Sequence, residues 1–70
     1  MIDRKYVRKR LIYIRNAEIE HIQSIQTLAH HYLLNADKNL EYRQIADTLM
    51  LIAQTLEIAN DLITKVLDKI

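Results

Sequence analysis

Seventy residues, half of them hydrophobic, with no glycine, proline or cysteine and a net charge of +1, make one small domain at most. That composition is too apolar for disorder and too free of turn formers for a β-protein. It also excludes disulfides and thiolate metal sites. No apolar run approaches the ~20 residues of a membrane span. The basic N-terminus has no apolar signal-peptide core, so a soluble, cytoplasmic protein is expected. A core this small supplies only about 3–5 kcal/mol. Ideal helix packing and self-association are the remaining sources of stability.

The chain opens basic. Residues 1–15 hold six basic side chains against Asp3, a net of +5, and residues 16–70 hold four against eight acidic ones, a net of −4. Arg4, Lys5, Arg8, Lys9 and Arg10 surround Tyr6 and Val7. Such a segment can grip phosphates, or form the solvated face of a helix. Val7, Leu11 and Ile14 carry a helical apolar row through it, which favours the second reading. Nucleic acid is a partner the chain could take, not the favoured one.

Residues 3 to about 34 read as the first helix. Val7, Leu11, Ile14, Glu18, His21, Ile25, Leu28 and Tyr32 alternate at spacings of 4 and 3, the seam of a helix packed along another at a shallow angle. Glu18 and His21 interrupt this row. They lie one turn apart, and two roles are open to them. A carboxylate orienting an imidazole can do acid–base work. A polar layer in an apolar seam fixes register and partner number. No nucleophile context accompanies them, so the polar layer is favoured. His30 and His31 are adjacent and point about 100° apart on a helix, which prevents joint chelation. Neither metal nor cofactor is expected.

Asn35-Ala36-Asp37-Lys38-Asn39 is the turn candidate. Asn35 can stop the first helix in a left-handed conformation, and Asp37 or Asn39 can cap the next. A link this short returns the second helix antiparallel to the first.

The second helix is expected over about 40–70. Tyr42, Ile45, Leu49, Ile52, Leu56, Ala59, Ile63, Val66 and Ile70 repeat the alternating spacing. Each helix also carries an apolar ridge beside its seam: Ile2, Tyr6 and Tyr13 on the first, and Leu51, Ile58 and Leu62 on the second. A two-helix hairpin covers one stripe per helix and not two, so the ridges mark a partner surface. Tyr13, Ile14, Leu51, Ile58 and Leu62 are the expected oligomer interface. The expected fold is all-α: an antiparallel two-helix hairpin assembling with a second copy into a homodimeric, or tetrameric, four-helix bundle.

Two segments carry a family resemblance. The opening Met1-Ile2-Asp3-Arg4-Lys5-Tyr6-Val7-Arg8-Lys9-Arg10-Leu11-Ile12-Tyr13-Ile14-Arg15, with its Asp-basic pair and basic-Leu-x-x-Ile pattern, resembles the start of HepT-like proteins of the HEPN superfamily. Glu57-Ile58-Ala59-Asn60-Asp61-Leu62-Ile63 is similar to that family's D-I-A-N-x-L-I run. The resemblance implies an all-α dimer from a group of ribonuclease toxins paired with nucleotidyltransferase antitoxins. It also implies the N-terminal half of that fold, because the family's chains run to about twice this length. The family's catalytic R-x(4–6)-H motif lies in its second half. Arg15 and His21 have that spacing, but in the first helix, so catalysis is not carried onto them. Glu57 replaces the aspartate of the run, and Ala53 stands where the family has an acidic residue. Three functions follow in order. The first is a non-catalytic interaction protein, which can bind a nucleotidyltransferase-type or HepT-type partner. The second is a nucleic-acid-binding regulator using the basic segment. The third is a residual ribonuclease using Arg15 and His21.

Overall fold

A computed structural model describes residues 1–70, the side chain of Lys38 apart. Two long helices account for most of the chain: α1, Arg4–Leu34, and α2, Leu40–Leu67. A single 3-10 turn, Ala36–Lys38, joins them. The hairpin measures 57 × 15 × 14 Å. No strand is present among the described residues, and no helix is long and apolar enough to cross a membrane.

Each boundary has a local cause. The Asp3 carboxylate accepts the Tyr6 backbone N–H at 3.2 Å and satisfies one of the free donors at the start of α1. At the other end the Asn35 side chain donates to the His31 carbonyl oxygen at 2.9 Å. Asn35 does not take the left-handed conformation expected of it: its φ is −108°, and among the described residues none has positive φ. The helix instead tightens into the 3-10 turn, a common way to finish a last turn. Asn39 then caps α2, its side-chain oxygen accepting the Glu41 N–H at 2.8 Å. Glu41 sits in the first turn, where its charge suits the helix dipole.

The two helices are fastened at both ends and in the middle. Arg8 Nη1 donates to the Leu67 carbonyl oxygen at 2.9 Å, closing the terminal end. Asn60 Nδ2 donates to the Arg15 carbonyl oxygen at 3.0 Å. Near the loop, the Tyr32 and Tyr42 rings meet edge-on with centroids 5.5 Å apart.

Between these bonds the seam is built on small residues. Ala29, Ala46 and Ala53 are 2%, 3% and 1% exposed, and Ile22 and Leu67 complete the buried set. One row of the expected seam is in place. Leu11, Ile25 and Tyr32 on α1, and Leu49, Leu56 and Ile63 on α2, are half-buried. The companion row is shifted by one residue. Ile14, His21 and Leu28 are exposed, as are Ile52 and Val66. Their places against the partner helix go to Arg15, Ile22 and Ala29, and to Ala53, Asn60 and Leu67, each one residue further on. The physical reason is approach distance. Alanine lets two helix backbones come close and gain dispersion contacts along their length. The bulkier Ile–Leu–Val row would hold them apart.

Candidate functional site

The shifted seam leaves an apolar side open. Ile14, His21 and Leu28 each precede an inward-facing residue of α1 by one position, and Ile52, Ala59 and Val66 do the same on α2. The helices run antiparallel, so an equal rotation along each chain brings both rows to the same side of the hairpin. The opposite side has its own marker: Gln26 Nε2 donates to Glu57 Oε1 at 3.1 Å. That side presents an open cleft lined by Gln23, Gln26, Glu57, Asn60 and Asp61 with Ile19 and Ile22. The hairpin is therefore two-sided. This face mixes Gln23, Gln26, Glu57 and Asp61 with exposed Ile19, Leu33 and Met50. The other carries Ile14 and Leu28 of α1, with His21 between them, and Ile52 and Val66 of α2.

On α2 the apolar side continues outward. Leu51, Ile58 and Leu62 are 63%, 64% and 54% exposed. Thr48 and Thr55 lie among them on the helix. Their hydroxyls donate to the Gln44 and Leu51 carbonyl oxygens at 3.0 and 2.9 Å, which occupies the polar atom within the helix and leaves the methyl group outward. The five residues expected at an oligomer interface are thus all exposed. Ile14 and Leu62 belong to the open side, and Leu51 and Ile58, two residues before the inward-facing Ala53 and Asn60, stand at the outer edge of α2. Tyr13 stands at the outer edge of the open side, where Arg10 lies over its ring at 5.7 Å.

The area involved is large for the chain. A compact monomer of this mass exposes about 4,600 Å², and this hairpin exposes 5839 Å². The excess is that of a 57 Å rod, and the exposed aliphatic side chains that lie along it mark a candidate interaction surface.

Glu18 and His21 are separated by the shift. Glu18 stays in the seam, half-buried, and its Oε1 is buried without a hydrogen-bond partner. His21 is exposed on the apolar side, so the two do not form one layer inside the hairpin. Arg15 is half-buried and is bonded through its backbone carbonyl by Asn60. Six residues on a helix separate Arg15 from His21 by about 9 Å of rise and about 120° of rotation, so the pair does not converge on one point.

The basic segment is divided in its use. Arg8 is committed to Leu67, and Arg10 lies over Tyr13. All five basic residues, Arg4, Lys5, Arg8, Lys9 and Arg10, are nonetheless exposed. His31 lies beside Tyr32, with ring centroids 6.3 Å apart. Among the described residues no group of three His, Asp or Glu side chains is arranged to hold a metal ion.

The apolar side was missed in its extent because pattern reading gave Ile14, Ile52 and Val66 to the internal seam. The signal was present in the alanines, which recur at Ala46 and Ala53 a heptad apart. Comparison of the chain with family models, curated proteins and solved structures gave no match.

Proposed function

We propose that this chain is a non-catalytic helical interaction protein: a hairpin that forms half of a four-helix bundle and completes it with a second copy of itself. One observation carries the reading, the run of exposed aliphatic side chains Ile14, Leu28, Ile52, Val66, Leu51, Ile58 and Leu62, with His21 and Thr55 set among them. Each such side chain contributes about 1.5–3 kcal/mol when fully buried, which is large against the stability of a domain this size. The buried core of the hairpin offers little besides Ile22, Leu67 and alanines. Pairing is the direct way to add to it.

The HepT-like resemblance adds a biological setting to the proposal. A HepT-like hairpin would present this side to a HepT-type or nucleotidyltransferase-type protein of a toxin–antitoxin system. Catalysis is not part of the proposal, since Arg15 and His21 diverge and no other nucleophile context accompanies them.

The test is solution mass by light scattering across a concentration series, with ribonuclease assay of the same sample. A dimer of 8.3 kDa chains without RNA cleavage is the expected result. A strict monomer overturns the self-pairing. Cleavage that disappears in His21→Ala overturns the non-catalytic assignment.

A further inference from the structure

We propose that the second copy docks on the apolar side end over end, about a twofold axis that crosses the hairpin near His21 and Thr55. This rests on the self-pairing proposed above and adds the face and the orientation.

The face follows from area and chemistry. A side 57 Å long and 15 Å wide offers about 850 Å² per copy, close to what each partner contributes to a standard stable interface. Its Thr48 and Thr55 hydroxyls are bonded to their own helix, and the polar side chain at its centre is the exposed His21. The other side of the hairpin exposes Ile19, Leu33 and Met50 too, but sets Gln23, Gln26, Glu57 and Asp61 among them, and two carboxylates and two amides would have to be desolvated on burial.

The orientation follows from charge. Arg8 meets Leu67, Arg15 meets Asn60 and Tyr32 meets Tyr42, so the hairpin divides at its middle into a terminal half and a loop half. The terminal half, residues 1–19 and 56–70, holds eight basic and five acidic side chains. The loop half, residues 20–55, holds two basic and four acidic. Two hairpins can stack face to face about a twofold axis along their length or across it. The lengthwise axis puts the two positive ends together. The crosswise axis puts each positive end over a negative one, and opposed patches of this kind select orientation.

The crosswise axis also fits the row. With α1 over α1, Ile14 comes opposite Leu28 of the second copy and His21 lies near its own mate. With α2 over α2, Ile52 comes opposite Ala59 of the second copy, a large side chain over a small one, and Ile45 opposite Val66. The lengthwise axis instead places α1 over α2, with Ile14 level with Ala59 of the second copy.

The chain has no cysteine, so introduced thiols report orientation cleanly. Ile14→Cys and Leu28→Cys chains are mixed, equilibrated and oxidised with copper–phenanthroline, beside a mixture of Ile14→Cys and Ala59→Cys. A covalent dimer of unlike chains in the first mixture and not in the second supports the crosswise axis. The reverse pattern overturns it while leaving self-pairing intact. Monomeric mass in light scattering of the unmodified chain overturns both. Ile52→Glu is expected to weaken dimerisation at least 100-fold, and Gln54→Glu, away from the face, to leave it unchanged. Equal loss in both variants overturns the face.

Discussion

The Arg8 guanidinium donates to the Leu67 carbonyl oxygen at 2.9 Å, so the first turns of α1 hold the last turn of α2. The bond joins residues 59 apart in sequence. The same carbonyl also accepts the Ile70 backbone N–H at 3.3 Å, so two donors meet at the end of α2. Arg8→Ala is expected to cost about 1 kcal/mol, as loss of a partly exposed hydrogen bond does. Thermal unfolding followed by circular dichroism reads the loss. Faster amide exchange at Asp68, Lys69 and Ile70, whose N–H groups close the end of α2, places it.

Glu18 gives a prediction of opposite sign. Its Oε1 is buried in the seam with no partner, and a polar atom left so costs about 1–3 kcal/mol. Glu18→Leu removes the carboxylate and keeps the volume apolar. The urea midpoint is expected to rise, with the slope of the transition unchanged. A fall would mean that the carboxylate is satisfied on pairing with the second copy.

Ala53 sets the approach of the helices and is 1% exposed. Ala53→Leu forces extra methyl groups into the closest contact and is expected to destabilise the hairpin by about 1–3 kcal/mol. Ala59→Leu, on the open side, is expected to leave the hairpin's helicity unchanged. Circular dichroism at low protein concentration separates the two.

Much of the hairpin was legible in the sequence. The alternating spacing, the absence of helix breakers and the asparagines at 35 and 39 are local signals, and two helices joined by a tight turn follow from them. The seam was legible by half. Leu11, Ile25 and Tyr32, with Leu49, Leu56 and Ile63, lie inward where the pattern put them. The other row went to the bulkier residues Ile14, Leu28, Ile52 and Val66, because a pattern reading weights side-chain size. Close packing of two helices rewards the opposite property, and Ala29, Ala46 and Ala53 took the contact. Ile22, outside the alternating row, is buried at the centre of the seam. Asn60, apart from the family-like run, gave no pattern signal as a polar residue, and its bond to the Arg15 carbonyl appears only once the helices are placed.

The exposed cations Arg4, Lys5, Arg8, Lys9 and Arg10 lie at the terminal end, with one nitrogen of Arg8 bonded to Leu67 and Arg10 over Tyr13. Retention of duplex DNA or single-stranded RNA in a gel shift is therefore expected to be absent at ~0.15 M salt, where the screening length is about 8 Å. Retention that falls log-linearly with salt would assign the segment to phosphate binding instead.

The antiparallel arrangement has a further result. Asp3 caps the start of α1, Leu67 closes α2, and the Arg8 bond keeps these two ends together. Anything covalently joined to one end leaves from the same place as anything joined to the other, with the loop at the far tip of a 57 Å rod. A segment with adjacent ends can be carried as an insertion between neighbouring residues of a host chain. Spliced in that way, the hairpin would stand out as a stalk, holding its greasy flank clear of the host.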